Sequence, residues 1–300
     1  MRGNYLEFSS GRISGRTAVY ALIGDPIGHS LSPAIQNAAF RSAEINAVYV
    51  ALRVTRRSLR DAVKGLGASG VKGFNVTAPH KVTVQPHLDM IEPSAEAISS
   101  VNTVINENGK LGGHNTDGVG ALSALEEAGV SPDGKSVLIL GAGGASRAIA
   151  YMLAQRASSI RVVNRTLVKS KHLALRIRKR LHIDVEYASI SDKRLKDFVE
   201  QSNIVINASS MGTEGLSNPP VAAEWLHHDQ CVFDIVYNPP HTRLLELASL
   251  AGAKSVNGLD MLVNQGACAF ELWTGRRAPI IDMRRAIGQN VLAMEHAKSS

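Results

Sequence analysis

Cysteines and long apolar runs are scarce in this sequence, and their scarcity excludes two classes of protein. The chain has 300 residues and only two cysteines, Cys231 and Cys268, too few for a disulfide framework. No apolar run approaches the ~20 residues of a transmembrane helix. Residues 1–16 are polar and lack the apolar segment of a signal peptide, so we interpret them as a disordered extension. The expected location is the reducing cytoplasm, with no membrane partner.

The sequence also lacks a recognised nucleic-acid motif, although its formal net charge is +7. Part of that charge lies in residues 1–16. Another part lies in residues 169–180, where the pattern predicts a helix with a solvated basic face. Anionic substrates and cofactors explain a basic protein without any polymer, and the histidines and cysteines show no metal-ligand spacing. We expect a small-molecule substrate, no nucleic acid and no metal, in a monomer or homodimer.

Strand and helix patterns alternate along the chain, which predicts an α/β protein of about two domains. Strands at 18–23, 47–52 and 73–77, with a hairpin at 103–113, predict an α/β domain with a mostly parallel sheet. Its first helix would begin at Pro33 with Ser32 as the N-cap. A second alternation from residue 137 predicts a Rossmann-type, doubly wound domain. The helices at 261–273 and 283–294 are expected to return to the first domain.

A glycine turn between a buried strand and a helix is the strongest local signal. Residues 137–140 are all apolar and predict a strand buried on both faces. Gly141 supplies the tight turn and Gly143 lets the backbone approach an anionic ligand, while the small Ser146 replaces the third glycine of G-x-G-x-x-G. The helix N-terminus that follows offers free N–H groups and the positive end of the dipole. We interpret the turn as a dinucleotide site; a purely structural turn is the alternative.

The end of the next strand indicates which dinucleotide is bound. An NAD site has an Asp or Glu there, about 20 residues past the glycines, to hold the ribose 2′-hydroxyl. This sequence has Asn164-Arg165-Thr166, with Lys169 one turn later and no carboxylate. Donors and positive charge suit a 2′-phosphate, which a carboxylate would repel. The predicted cofactor is NADP, although Arg165 taken alone could be a surface residue.

Further motifs occur together and in one order. They are Ser30-Leu-Ser32-Pro, Asn75-Val-Thr77-Ala-Pro-His-Lys81, Val101-Asn102-Thr, Asn115-Thr-Asp117-Gly, the glycine turn, Asn164-Arg165-Thr166 and the stretch from Asn257-Gly258 to Gln265. In this combination the chain resembles the shikimate/quinate dehydrogenase family, from about Ala18 to the final helices. Two features depart from the family pattern: Lys169 stands where an arginine is common, and residues 1–16 have no counterpart.

The resemblance implies a reversible reaction of 3-dehydroshikimate with NADPH to give shikimate and NADP, a step of chorismate and aromatic amino acid biosynthesis. It implies a substrate-binding and catalytic domain (17–116 plus 258–300) facing a Rossmann NADP domain (117–257) across a cleft. Lys81 and Asp117 would be the catalytic pair. Substrate carboxylate or ring hydroxyls would be bound by Ser30, Ser32, Asn75, Thr77, Asn102, Asp117, Tyr237 and Gln265, the two serines taking the carboxylate. The cofactor would be bound by Gly141, Ala142, Gly143, Gly144, Ala145, Ser146, Asn164, Arg165, Thr166, Lys169, Ile235 and Gly258.

Elementary chemistry agrees with the roles of Lys81 and Asp117. Hydride delivery to a ketone builds negative charge on the carbonyl oxygen, so a proton donor must reach that atom. The ammonium group of Lys81 can donate a proton and stabilise the charge. A nearby carboxylate such as Asp117 would stabilise the ammonium and bind a neighbouring hydroxyl. Taken singly, Lys81 could be a surface lysine and Asp117 a helix cap, and His29 is an alternative base.

Other functions stay open at this point. A dehydrogenase that also oxidises quinate or an amino-substituted analogue would share these motifs. Quinate has an additional hydroxyl on the carbon that bears the carboxylate, so discrimination would fall to the region of Ser30 and Ser32, and two serines there favour shikimate. A non-catalytic NADP-binding regulator is a third reading, but Lys81 and Asp117 are both present. A basic nucleic-acid binder lacks a motif.

Overall fold

The computed structural model describes residues 13–213 and 216–298, which form two compact units. Unit 1 contains the chain up to Glu92, then Val101–His114 and the residues from Gly266 onward; unit 2 contains Pro93–Ser100 and Asn115–Gln265. The predicted bounds are 17–116 plus 258–300 for the first domain and 117–257 for the second; residues 93–100, 115–116 and 258–265 group instead with unit 2. Of the predicted extension at 1–16, residues 1–12 lie outside the described part, and residues 13–16 are exposed and include a turn.

Unit 1 is built on a mixed sheet of six strands. They are β1 (Ala18–Gly24), β2 (Ala47–Arg53), β3 (Gly73–Val76), β4 (Met90–Ile91), β5 (Thr103–Glu107) and β6 (Lys110–His114). Their order is β2-β1-β3-β5-β6-β4; β2, β1 and β3 are parallel, β5 is antiparallel to both neighbours, and β4 is parallel to β6. The helices of this unit are α1 (Ser32–Ser42), α2 (Leu59–Ala68), the later part of α9 (Gly258–Thr274) and α10 (Ile280–Lys298). The predicted return of the C-terminal helices to the first unit is confirmed for α10 and for α9 from Gly266 onward.

Aromatic rings form the centre of the packing in unit 1. Tyr20 of β1 stacks on Phe40 of α1, with ring centroids 4.9 Å apart, and Trp273 of α9 lies 5.0 Å from Tyr20. Tyr49 of β2, which pairs with Tyr20 across the two strands, lies 6.0 Å from Trp273. The Trp273 indole donates to the carbonyl oxygen of Val104 at 3.0 Å. This cluster fixes β1, β2 and β5 against α1 and α9.

Unit 2 contains a sheet that is parallel throughout. Its strands are β7 (Ser136–Leu140), β8 (Ser159–Asn164), β9 (Val185–Ser189), β10 (Ile204–Asn207), β11 (Cys231–Asp234) and β12 (Lys254–Asn257), in the order β12-β11-β10-β7-β8-β9. Read from the other edge, this is the strand order of the Rossmann fold. The helices are α3 (Pro93–Ile98), α4 (Asp117–Glu127), α5 (Gly144–Leu153), α6 (Leu167–Leu181), α7 (Leu195–Glu200), α8 (Arg243–Leu250) and the first part of α9.

Strand β7 shows why this sheet is buried on both faces. Val137 and Ile139 pack into the core on one face, and Leu138 and Leu140 into the core on the other. All four side chains are fully buried. Successive strand residues point to opposite faces, so four consecutive apolar residues are what a sheet covered by helices on both sides requires. The predicted doubly wound domain is confirmed.

Some local predictions differ from the structure. Ser32 is wrong as an N-cap: it is the first residue of α1, the cap position is Leu31, and no side chain caps the helix there. The Ser32 N–H donates instead to the Oγ of Ser30, at 3.2 Å. Strands β4 and β12 have no counterpart in the sequence prediction. β4 is only two residues long, which is too short for a recognisable pattern. β12 is an edge strand whose first two residues, Lys254 and Ser255, are polar and exposed.

Each unit contains one of the two cysteines. Cys231 in β11 is buried in unit 2, and burial raises the pKa of its thiol to about 11. Cys268 in α9 is half-buried in unit 1, and burial again raises the pKa of the thiol. Neither is in a disulfide.

Candidate active site

The cofactor candidates of unit 2 follow the carboxyl ends of its parallel strands. The glycine turn follows β7 and Asn164 ends β8; Ile235 follows β11 and Gly258 follows β12. Carboxyl ends of parallel strands share one edge of a sheet, so these residues lie along one edge of unit 2. Strand β7 has β10 on one side and β8 on the other, where the strand order reverses. Ligands of open α/β sheets bind outside that point.

Gly141 is required by the geometry of the turn. Its φ is +125°, a value that side-chain-bearing residues rarely adopt. A Cβ at this position would lie 2.7 Å from the Oγ of Ser146 and 2.8 Å from the carbonyl oxygen of Ala208. The buried Ser146 hydroxyl donates to that same oxygen at 2.7 Å and accepts from the Gly143 N–H at 3.2 Å. The serine therefore joins the turn to the end of β10, besides keeping the position small.

The space in front of α5 fits a dinucleotide pyrophosphate. Gly143 is the N-cap residue and is exposed, and a Cβ built on it meets no atom within 4 Å. The first N–H groups of a helix have no intrahelical acceptor, and the helix dipole adds positive charge at this end. Helix N-termini with these donors are suited to bind phosphate groups.

The residues after β8 fit a 2′-phosphate. Arg165, Thr166 and Lys169 are all exposed at the start of α6, and β8 ends without a carboxylate. The Asn164 amide donates to the carbonyl oxygen of Thr166 at 3.0 Å, so it shapes the turn. The guanidinium and the ammonium supply the positive charge that a phosphate needs. This set of donors fits NADP.

A buried carboxylate that sequence reasoning missed holds the loops at this edge. Asp234, at the end of β11, is fully buried. It accepts from the Asn207 amide at 2.9 Å, the Thr242 hydroxyl at 2.7 Å and the Val236 N–H at 3.0 Å. Burial raises the pKa of Asp234, and the hydrogen bonds oppose that shift. The network ties β10 to the segment that carries the half-buried Tyr237; the signal available in the sequence was an aspartate directly after an apolar strand.

Asp117 and Gln265 are the remaining substrate candidates of unit 2. Asp117 is the first residue of α4 and is only 2% exposed, and its N–H donates to the Asn115 side-chain oxygen at 3.0 Å. Gln265 of α9 is half-buried. Gly120 lets α9 approach α4 closely, because a Cβ there would lie 2.7 Å from the Cβ of Gln265.

Two buried amides lie close together in unit 1. Asn75 in β3 is 6% exposed and Asn102, just before β5, is 2% exposed. The Asn75 side-chain NH₂ donates to the Asn102 carbonyl oxygen at 3.1 Å and to the Thr103 hydroxyl at 3.0 Å. Its Oδ1 accepts from the phenol of Tyr49 at 2.7 Å. Both N–H groups of Asn75 are thus in use, and one lone pair of Oδ1 remains.

The loop after β3 holds Lys81 by its backbone. The Thr77 N–H donates to the Ile23 carbonyl oxygen at 2.9 Å, which continues the pairing of β3 with β1. His80 is fully buried, and its Nε2 lies 2.6 Å from the carbonyl oxygen of Val54. The Lys81 carbonyl oxygen accepts from the Val101 N–H at 2.8 Å, directly before Asn102. The Lys81 side chain is half-buried, and its starting point is fixed relative to the two amides.

The serine loop of unit 1 lies between β1 and α1. Ser30 and Ser32 are half-buried, and the Ser30 Oγ accepts from the Ser32 N–H. The Ser30 hydroxyl group is thus held against the backbone of Ser32. His29, the alternative base, is exposed.

Among the described residues, no group of three or more His, Cys, Asp or Glu side chains could hold a metal ion. Within the same residues, none of the helices combines the length and the apolar character of a membrane crossing. The candidate groups of unit 1 are an amine, amides and hydroxyl groups; those of unit 2 are a buried carboxylate, an amide and a phenol, together with the cofactor candidates.

Three family models match successive parts of the chain. The shikimate dehydrogenase substrate binding domain matches residues 22–104, and shikimate/quinate 5-dehydrogenase matches residues 124–241. The shikimate 5′-dehydrogenase C-terminal domain matches residues 258–287. The matches follow the order of the motifs.

Relatives that match most of the length of the chain are also shikimate dehydrogenases. The chain is 46% identical over 269 residues to the shikimate dehydrogenase (NADP⁺) of Caldanaerobacter subterraneus subsp. tengcongensis, covering 88% of this chain and 94% of that protein. A solved shikimate dehydrogenase in complex with NADP⁺ is 41% identical with a TM-score of 0.87, covering 93% of this chain and 98% of that one. The enzyme of Thermus thermophilus in complex with NADP(H) and shikimate is 34% identical with a TM-score of 0.81, covering 91% and 99%.

Proposed function

The chain belongs to the shikimate/quinate dehydrogenase family, and we propose which of its residues carry out the family's reaction. The protein is an NADP-dependent oxidoreductase that acts on a CH–OH group. It catalyses the reversible reduction of 3-dehydroshikimate to shikimate by NADPH, a step of aromatic amino acid biosynthesis. The division of labour among the residues is our proposal.

One observation supports the cofactor residues above all others. The exposed Arg165 and Lys169 follow β8 in place of the carboxylate of an NAD site, on the same edge of unit 2 as the open glycine cradle. We assign the pyrophosphate to the turn from Gly141 to Ser146 and the 2′-phosphate to Arg165, Thr166 and Lys169. Ile235 and Gly258, which follow β11 and β12, complete the edge.

Lys81 is the proposed proton donor of the reduction. NADPH, when bound, supplies a hydride. The Lys81 ammonium donates a proton to the carbonyl oxygen on which negative charge develops, and in the reverse direction its amine accepts the proton of the hydroxyl. The backbone bonds of this loop fix where the lysine side chain begins, so its reach is set by the four methylenes alone.

The remaining side chains bind and orient the substrate. Hydroxyl donors complement a carboxylate, so we assign the substrate carboxylate to Ser30 and Ser32. The carboxylate of Asp117 can accept from a ring hydroxyl beside the reacting carbon, and it forms the catalytic pair with Lys81. The ring hydroxyls are assigned to Asn75, Thr77, Asn102, Tyr237 and Gln265.

We also propose that the enzyme works in the cytoplasm as a monomer or homodimer. Two cysteines without a disulfide support a reducing compartment. Light scattering on the purified protein measures the oligomeric state directly, and a trimer or larger assembly contradicts the proposal.

The experiment that tests the function is a spectrophotometric assay at a nicotinamide absorbance wavelength, crossing shikimate and quinate with NADP and NAD. The shikimate/NADP pair should give the highest kcat/KM. If quinate with NAD is best, the runner-up activity replaces this one. A protein that binds NADPH but turns over neither substrate would be the regulator considered above.

A further inference from the structure

A chain of hydrogen bonds in unit 1 connects α1 to the buried amides through Tyr49. The Asn37 side chain of α1 holds the backbone of Tyr49 at both ends: its NH₂ donates to the Tyr49 carbonyl oxygen at 2.9 Å, and its oxygen accepts from the Tyr49 N–H at 2.8 Å. The same NH₂ donates to the carbonyl oxygen of Pro33, one turn back in α1. The position of Tyr49 is therefore set by the helix that follows the serine loop.

The phenol of Tyr49 continues this chain toward β3. It donates to the Oδ1 of Asn75 at 2.7 Å, and the residue is 1% exposed. Burial raises the pKa of Tyr49 well above its usual value, so the hydroxyl keeps its proton and remains a donor at neutral pH. The ring is held by packing against Trp273.

The consequence for Asn75 is a fixed amide orientation. The phenol contacts its oxygen, and the Asn102 carbonyl oxygen contacts its nitrogen, so a flipped amide would place two carbonyl oxygens against each other. The second N–H goes to the Thr103 hydroxyl, whose own hydrogen is given to the Asn102 side chain at 2.9 Å. Asn75 can therefore offer a further partner one acceptor lone pair and no donor.

We propose that Tyr49 is a positioning residue for substrate recognition, acting through Asn75. The proposal rests on the proposed function, in which Asn75 binds the substrate. It specifies that binding further: with both N–H groups committed, Asn75 accepts from a ring hydroxyl and does not donate to the carboxylate. Tyr49 itself needs no contact with the substrate.

Tyr49→Phe removes one oxygen atom and keeps the ring packing. The KM for shikimate should rise about 5- to 20-fold, with kcat within about twofold and the dissociation constant of NADPH unchanged, because a loosened ground-state contact acts on binding. Tyr20→Phe is the matched control. Tyr20 belongs to the same aromatic cluster, pairs with Tyr49 across β1 and β2, and does not bond to Asn75 in this structure; its KM should stay at the wild-type value.

A double-mutant cycle separates action through Asn75 from general loosening. Asn75→Ala should raise the KM by itself, and adding Tyr49→Phe to it should cause no further rise. Asn75→Ser replaces the alanine variant if the latter does not fold. If the effects of the two substitutions on the KM multiply in the double variant, Tyr49 acts by another route and the proposal is wrong. An unchanged KM in Tyr49→Phe, with or without a lower melting temperature, would also overturn the proposal. A wild-type enzyme without shikimate activity would instead overturn the proposed function.

Discussion

The candidate residues of the two units differ in how they are held. In unit 1, Asn75 and Asn102 are at most 6% exposed; the Asn75 side chain donates to the Asn102 carbonyl oxygen and accepts from the Tyr49 phenol. In unit 2, Arg165 is exposed just before α6 and Lys169 is exposed in its first turn, and the glycine turn presents main-chain atoms to open space. One set of candidates consists of hydrogen-bonded buried side chains, and the other consists of a main-chain turn and exposed charged groups.

The difference in burial between the two sets of candidates determines which measurable property each substitution should change. Buried, interlocked side chains specify one arrangement of donors and acceptors, so their loss alters substrate selection and chemistry. Exposed charges attract an anion from solvent, so their loss weakens binding in a salt-dependent way. The following predictions test this contrast.

Lys81→Ala should have the largest effect and sharpen the contrast most. Turnover should fall by about 10²- to 10⁴-fold, the range for a lost acid–base group. The dissociation constant of NADPH should stay the same, because the cofactor candidates all belong to unit 2. Steady-state kinetics and fluorescence titration measure the two quantities. Lys64→Ala, an exposed lysine of α2 in the same unit, is the control and should resemble wild type. Near wild-type turnover of Lys81→Ala would remove the lysine from the mechanism.

Alanine substitutions at two glycines of the turn should differ in stability, because one position has a strained φ and close neighbours and the other has neither. Gly141→Ala forces a side chain into φ +125° and against Ser146, and should lower the free energy of unfolding by on the order of 3 kcal/mol. Gly143→Ala has an ordinary φ of −79° and open space, so its stability should stay within about 0.5 kcal/mol of wild type. Both should weaken NADPH binding. Urea denaturation of the two variants, which carry the same Gly→Ala change, measures the difference in stability. Equal stabilities would show that the positive φ of Gly141 is not required for the turn.

Arg165→Ala should weaken NADPH and leave NADH nearly unaffected. A hydrogen bond to a charged group is worth about 1.5–3 kcal/mol, which corresponds to roughly 10- to 100-fold in affinity. Lys169→Ala should cost less, because an ammonium makes no bidentate fork. The loss should shrink as salt rises, since Arg165 is exposed. Parallel titrations with both cofactors test this. Equal weakening for NADPH and NADH would show that Arg165 does not recognise the 2′-phosphate.

Ser30→Ala should give the smallest effect, a rise of about 5-fold in the KM for shikimate, as expected for one neutral hydrogen bond of about 1 kcal/mol. The kcat should hardly change, because such a donor acts in ground and transition states alike. Ser69→Ala, an exposed serine that follows α2, serves as the control. A drop in kcat at constant KM would show that Ser30 acts in the chemical step and not only in substrate binding.

The parts of this structure that follow from short-range pattern were predictable. Four consecutive apolar residues before Gly141 predict a doubly covered strand, and an asparagine-arginine pair at the end of the next strand predicts the cofactor. Both depend on a few neighbouring residues whose backbone geometry is fixed locally. The substrate was predicted from the family resemblance, which depends on the order of the motifs along the chain.

The parts that depend on distant partners were not predictable. Tyr49 stands in an ordinary strand pattern, and its partner Asn75 is 26 residues away. Asp234 is bonded to Asn207, 27 residues earlier. Local spacing has no information on such pairs, because the sheet order brings them together. The predicted cap at Ser32 was wrong for a local reason: the serine side chain two residues before it accepts from its N–H, and the helix begins one residue early.

The two units each contain one thiol, so the local accessibility of each unit can be measured separately. A buried thiol reacts with an alkylating reagent only when its surroundings open, so the labelling rate of Cys231 reports opening of unit 2. Cys268 is half-buried, so a change in its labelling rate reports a change in its local exposure within unit 1. A ligand slows the opening of whatever it stabilises. NADP should therefore protect Cys231 from alkylation, and shikimate should protect Cys268. Mass spectrometry of the alkylated native chain would thus follow the surroundings of both thiols at once, without an engineered cysteine.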